Sequence, residues 1–428
     1  MLGHFYCCLS TGLLGLGLSH LLTAGAIKQV LLGFAIIGIV SSTIFLCMVM
    51  VAAVRYRRFS AVASQNAKSV PDSSLPPVSI LKPVHGMEPQ LAENLESFFR
   101  QNYPKFEILI GARDADNAAL HIAEQVRQRY PEVKSKVVLS GHPTWPSAKV
   151  FSLDKMITAS ANDLLIISDS DVLVSPDFLR NVIPPLLEPK NGLVTCLYQG
   201  IPPSDFWSFL ESLGMSVEMP SGVLVADMME GMRFALGAAM AVRRDALEAI
   251  GGIASTADYY SDDFVLGNEI WAAGYKVVLS HEIVGHVLMP RTLKETFGDQ
   301  LRWMKSTRYS RPKGHIGTGL TYAMPFGLLG LISAAALGHT TLGLGLLAAA
   351  FLNRVIQSLV VGWGVIGDRN ALRFCWAYPL RDLMGFIFWA RSFGSARFSW
   401  RGETYRFAEG GKIIPQHRRA AVAPEERL

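Results

Sequence analysis

Charge is scarce in this 428-residue chain: only 18% of its residues are Asp, Glu, Lys or Arg, against about a quarter in soluble domains. With half of the residues hydrophobic and a mean hydropathy of +0.27, a disordered chain is excluded and a wholly soluble one is not expected. Cysteine is also sparse. Cys7, Cys8, Cys47, Cys196 and Cys375 form no CxxC pair and have no histidine at metal spacing, so neither a disulfide framework nor a zinc site is suggested, and a reducing compartment fits. The net charge of +5 is small and scattered, so no nucleic-acid partner is expected. Nor is there a clear internal repeat, which argues against a transporter.

Long apolar runs are what the chain does have. Val30–Val54 is 25 residues without a charge, long enough to cross a hydrocarbon core of about 30 Å. Arg55, Arg57 and Arg58 follow at once, placing the next segment in the cytoplasm. The earlier stretch Phe5–Ile27 is apolar, Gly-rich and interrupted by His20; a second span, an interfacial segment and a signal-like region all fit it. Ala61–Pro77 is rich in Ser, Pro and Ala and reads as a linker. Apolar runs return near 317–338, 341–367 and 376–394, predicting two or three C-terminal spans with small residues for close packing. The resulting division is a membrane region 1–58 with its span at about 30–54, a linker 59–77, a cytoplasmic domain 78–314, C-terminal transmembrane helices 315–398 and a polar, basic cytoplasmic tail 399–428. An integral membrane protein of a bacterial inner membrane or its equivalent is expected, with the lipid bilayer as a partner.

Between Pro77 and Gly314, short apolar runs alternate with helical patterns. VSILKP, FEILIGARD, KVVLS and DLLIISDSD read as strands, and Leu91–Gln101, Asn117–Tyr130 and Ala148–Ala159 as helices. This order predicts an α/β domain with a mostly parallel sheet, whose ligands sit beyond the carboxyl ends of the strands. Acidic residues fall there: Asp114 and Asp116 after the second strand, Asp169 and Asp171 after LLIIS. Alternate side chains on a strand point the same way, so Asp169 and Asp171 are a candidate pair for Mg²⁺ or Mn²⁺, hard cations that share oxygen ligands with substrate phosphates. Both acidic clusters also read as turn chemistry.

Asp262 and Asp263 open a further predicted helix, a position that the helix dipole favours in any case. A carboxylate held near a phosphate site also accepts a proton from an incoming hydroxyl, and Asp263 is the candidate general base. In GDQLRWMKSTRYSRPKG, Arg302 beside Trp303 offers a planar guanidinium for a departing diphosphate and an indole for stacking. Lys305, Arg308, Arg311 and Lys313 beyond them suit a headgroup collar.

Taken in order, KPVHGMEPQLAENLESFFRQNYPKFEILIGARDAD, SDSD, GAAMAVRRDALEAIGG, SDDF, QLRW and WRGETYRF give the chain its resemblance to membrane-anchored inverting glycosyltransferases of the GT-A type, most closely ceramide glucosyltransferases. The segments run from Lys82 to Phe407. The resemblance implies a GT-A-type nucleotide-sugar-binding domain in which Asp114 and Asp116 contact the nucleotide, Asp171 with Asp169 holds the metal and contacts the donor, Asp263 is the base, and Arg302 and Trp303 close over the diphosphate. Lys149 matches a lysine that helps bind the donor. One departure stands out: where the family has Gln or Arg three residues before the Arg-Trp pair, this chain has Asp299, with Gln300 one place late. The implied activity is a metal-dependent transfer of one sugar from a UDP-sugar to a membrane lipid hydroxyl, UDP-glucose to ceramide. The core including LVTCLYQG also resembles hopanoid glycosyltransferases, which use N-acetylglucosamine, and a processive polysaccharide synthase shares the acidic motifs.

Overall fold

The computed structural model describes residues 24–400 and 403–416; most of the Phe5–Ile27 stretch lies outside them. The first described element, α1 (Ala24–Ser69), is one helix of 46 residues. It runs through much of the stretch read as a linker, because Ala61–Ser69 holds helix-compatible Ala, Gln and Lys and the first proline is Pro71. Along its apolar part Val30, Ile37, Ile44 and Val51 are more than half exposed. Its C-terminal part is instead packed into the domain: Val49, Ala52 and Tyr56 join the main hydrophobic core, and the Tyr56 hydroxyl donates to the Ser280 carbonyl at 2.8 Å.

Eight strands form one sheet in the order β3-β2-β1-β4-β7-β6-β8-β5: β1 (Val78–Pro83), β2 (Phe106–Ala112), β3 (Lys134–Leu139), β4 (Leu164–Ser168), β5 (Val172–Leu173), β6 (Asn191–Ile201), β7 (Ala239–Arg243) and β8 (Lys276–Val287). The pairs β1–β2, β1–β4, β2–β3 and β6–β8 are parallel, whereas β7 runs antiparallel between β4 and β6, and β5 antiparallel to β8. The α/β class with a mostly parallel sheet is therefore what the chain adopts. β1, β2 and β4 are buried nearly end to end, as strands covered on both faces must be.

Three crossover helices follow the first three strands: α2 (Leu91–Phe99), α3 (Ala118–Arg129) and α4 (Ala148–Ala159). Asn117 caps α3 by accepting from Ala119 N at 3.0 Å, and Ser147 caps α4 by accepting from Val150 N at 3.3 Å. The chain winds outward from β1 to β3 and then returns to β4 on the other side of β1. That reversal opens a crevice at the carboxyl ends of β1 and β4.

α5 (Phe206–Leu213) and α6 (Met219–Glu230) are joined by a π-helical turn, Gly214–Glu218. Next in order come α7 (Asp262–Ala272), α8 (Leu293–Ser310), α9 (Pro312–Thr318), α10 (Met324–Ala336), α11 (Thr340–Gln357) and α12 (Tyr378–Ser392). Among the described residues, two helices are long and apolar enough to cross a membrane, α1 and Thr340–Trp363, the latter ending in a π-helical segment Ser358–Trp363. The other two C-terminal apolar runs do not give helices of spanning length. α10 has 13 residues and α12 has 15, each short of the roughly 20 needed. Pro325 and Gly338, at φ +85°, bound α10, and α12 carries Arg381 and Asp382, both buried in ion pairs.

The tail is also ordered where it is described. β9 (Arg397–Trp400), β10 (Glu403–Phe407) and β11 (Ile413–Pro415) form an antiparallel sheet. Its apolar face, Phe398, Tyr405, Phe407 and Ile413, packs with Tyr260 and Tyr309, bringing the tail beside the start of α7 and the flank of α8.

Candidate functional site

A cavity of about 1400 Å³ opens at the crevice and continues toward the apolar helices. Of the side chains expected at the site, Lys149, Asp169, Asp171, Asp263 and Trp303 line it. Asp114, Asp116 and Arg302 do not.

Asp169 and Asp171 occupy the turn between β4 and β5, where the switch point places them. Their carboxylates have different partners. The Asp169 carboxylate pairs with Lys149 Nζ at 2.7 Å, whereas Asp171 Oδ2 lies 3.5 Å from His286 Nε2 on β8. Asp171 is set by the short β5–β8 pairing, in which Val172 faces His286 and Val287 N donates to the Asp171 carbonyl at 2.8 Å. Asp171 Oδ1 and His286 Nδ1 are buried with no hydrogen-bond partner. Among the described residues no group of three or more His, Cys, Asp or Glu side chains is arranged to hold a metal ion; the orphaned Asp171 oxygen is the kind of donor that a hard divalent cation takes, with phosphate and water as further ligands.

Lys149, in the first turn of α4, links the two acidic groups, since it also reaches Asp262 Oδ2 at 3.7 Å. Burial opposes its charge, but Asp169 and Asp262 outweigh that and hold the ammonium above the usual lysine range. Asp263 sits next to this pair at the start of α7. Burial, and then the negative charge of Asp262, push its carboxyl up to about 6. Gly237 makes room for it: a Cβ there would stand 2.8 Å from Asp263 Oδ2. The result is a half-buried carboxylate whose proton is held to about pH 6.

Arg302 faces another way. Its Nε donates to the Tyr260 hydroxyl at 2.6 Å and its Nη2 pairs with Asp299 at 2.8 Å. Asp299, the residue that departs from the family pattern, also pairs with Arg291 at 3.2 Å. Gln300 lines the cavity and accepts from Arg381 at 3.0 Å. Asp114 and Asp116 lie in an exposed turn past the end of β2, where Arg113, not they, reaches the cavity wall.

Three further residues belong to the site that the motif reading did not assign. Lys82, on β1, is fully buried; its Nζ donates to the Asp169 carbonyl and lies 3.3 Å from Ser168 Oγ, so it braces the acidic turn from beneath. Burial pushes its ammonium down to about 7 against the pull of Asp171 and Asp169. A lysine inside an otherwise apolar strand, VSILKP, was the available signal. Glu88 lines the cavity with its carboxyl raised by burial. His286 is found only through the β5–β8 register, which no local pattern reveals.

Away from these polar groups the wall becomes apolar, with Phe45 from α1 and Val223, Val225, Ala226 and Met229 from α6. One cavity thus joins a charged end to a greasy one.

A family model described as glycosyl transferase family 21 matches residues 43–413. Ceramide glucosyltransferase 3 of Caenorhabditis elegans is 25% identical over 356 residues, covering 80% of this chain and 75% of that protein. Ceramide glucosyltransferase 1 of the same organism is 22% identical over 360 residues, covering 83% and 77%. Among solved structures, a mannosyltransferase from Pyrobaculum calidifontis in complex with GDP-mannose and Mn²⁺ superposes with a TM-score of 0.46 at 17% identity, covering 82% of this chain and 98% of that one.

Proposed function

Because the chain belongs to glycosyl transferase family 21, a family whose curated relatives here are ceramide glucosyltransferases, we propose that it moves a single glucose from UDP-glucose to the hydroxyl of ceramide, with inversion. The observation that carries this reading is the continuous cavity, with Asp169, Asp171 and Asp263 at one end and the apolar faces of α1 and α6 at the other. A water-soluble donor and a membrane-borne acceptor meet in such a cavity. α1 and Thr340–Trp363 cross the bilayer, and the domain at 78–314, the linker before it and the tail lie on the cytoplasmic side, as Arg55, Arg57 and Arg58 favour.

In the reaction, the acceptor oxygen forms the new bond to the anomeric carbon as the bond to the diphosphate oxygen breaks on the opposite face. The hydroxyl proton passes to the Asp263 carboxylate. Lys149 offsets the negative charge gathered on the donor side, and Lys82 keeps the Asp169–Asp171 turn in place. Asp171, with Asp169, would hold Mg²⁺ or Mn²⁺, which when bound supplies Lewis-acid neutralisation of the diphosphate. Trp303 presents its ring to the cavity. Arg302 reaches the diphosphate by leaving Asp299, and Asp114 and Asp116 reach the nucleotide from the turn after β2.

The test is transfer by the purified full-length protein in lipid nanodiscs, given UDP-glucose or UDP-N-acetylglucosamine with ceramide or a hopanoid polyol, and read by lipid mass spectrometry. Ceramide heavier by one hexose supports the reading. An N-acetylhexosamine on the hopanoid reassigns donor and acceptor, a polymer favours a synthase, and no product with any pair overturns lipid glycosylation.

A further inference from the structure

β6 lies between β7 and β8, and its residues Leu193, Val194, Thr195, Cys196 and Leu197 are all buried. Burial breaks at Tyr198, which is partly exposed and lines the cavity. The β6–β8 register sets Tyr198 opposite Val284 and Gly200 opposite His286. Residues two apart on a strand share a face, so the rings of Tyr198 and His286 meet there, with centroids 5.5 Å apart and planes tilted by 34°. His286 in turn lies 3.5 Å from Asp171. Tyr198 is thereby anchored on the same sheet face as the residue beside the acidic turn.

The ring is held by packing against both large hydrophobic clusters. Its hydroxyl, in contrast, makes no hydrogen bond among the described residues and is not sealed from solvent. A tyrosine fixed at its ring normally ties its hydroxyl too; here the space beside the residue is the cavity. Burial, and then the negative charges of Asp263, Asp169 and Asp171, hold the hydroxyl above the usual tyrosine range, so at neutral pH it remains a donor. The expected base and the acidic turn thus stand around one neutral O–H. During transfer the anomeric carbon lies between those two groups, because the diphosphate leaves on the side of Asp169 and Asp171 and the acceptor arrives on the side of Asp263. A sugar spanning that gap offers what the Tyr198 hydroxyl lacks, an oxygen that accepts a hydrogen bond.

We propose that Tyr198 recognises the transferred sugar, its hydroxyl donating to one hydroxyl oxygen of the pyranose and so fixing the anomeric carbon between Asp263 and the Asp169–Asp171 turn. This deepens the transfer reading above and rests on it.

Tyr198→Phe removes the O–H and keeps the ring, and it is compared with wild type as full-length protein in nanodiscs. The thermal midpoint should stay at the wild-type value, because no protein partner is lost; a clear fall overturns the proposal, since the hydroxyl would then serve the fold. By calorimetry the variant should bind UDP-glucose about fivefold more weakly and UDP equally well. In transfer assays with UDP-glucose and a set of its monodeoxy analogues, wild type should lose about fivefold in kcat/KM with the analogue lacking the contacted hydroxyl, whereas Tyr198→Phe should use that analogue as well as it uses UDP-glucose. Equal weakening of UDP and UDP-glucose, or the same penalty for every analogue in both proteins, overturns the contact. So does an inflection of the pH–rate profile moved to higher pH, which would make the hydroxyl a partner of Asp263 instead. A sugar-dependent loss of binding without transfer by wild type keeps the contact and sinks the reaction, whereas transfer with binding and analogue penalties indifferent to the substitution keeps the reaction and sinks the contact.

Discussion

Asp263 combines partial burial with a like-charged neighbour, and both act on its proton in the same direction. A general base works only when deprotonated, so activity is present above its pKa and lost below it. kcat/KM is therefore expected to rise about tenfold per pH unit up to about pH 6 and to level off above. Asp262→Asn removes the neighbouring charge and should move that inflection to lower pH, as read from a pH–rate profile. Asp263→Asn should cost on the order of 10³-fold in kcat while UDP binding, measured by calorimetry, persists; near-normal turnover would remove the base from Asp263. Gly237→Ala would set a methyl against the same carboxylate, and a displaced base of this kind is expected to cost about 100-fold in kcat with little change in donor KM. The carboxylates of the site were legible because they end strands or begin a helix, and those positions follow from local hydrophobic pattern. Lys82, His286 and the role of Gly237 were not, because each depends on which strands lie side by side, and that is decided by pairings over tens of residues.

At the scale of elements, α8 begins with a complete capping box: Thr292 Oγ1 accepts from Glu295 N while Glu295 accepts from Thr292 N at 2.8 Å. Thr292→Ala should lower stability by about 1 kcal/mol, seen as a lower thermal midpoint with kcat nearly unchanged, since Thr292 touches nothing in the cavity. The same helix carries Asp299, whose hold on Arg302 explains why an arginine expected in the site lies outside it. The strand–helix alternation through α4 was readable from apolar runs and helical spacing. The short α10 and α12 were not, because apolar content alone does not show where Pro325 starts a helix or that Arg381 and Asp382 find buried partners. The β9–β11 sheet escaped for the opposite reason: three- to five-residue strands in a basic tail gain their apolar face only from Tyr260 and Tyr309.

Across the whole molecule, α1 belongs at once to the apolar bundle and to the sheet. Phe34 packs edge-on against Phe326 of α10 with centroids 5.8 Å apart, while Tyr56 is buried in the domain core. Tyr56→Ala should destabilise the protein by about 3 kcal/mol, measurable as a fall in thermal midpoint in detergent, and an unchanged midpoint would show that α1 is not part of the folded domain. An uninterrupted helix about 69 Å long has no joint between its two halves. The sheet domain therefore cannot bob or tilt independently of the apolar half of α1, and the height of Asp263 above that half is set like a mark on a ruler.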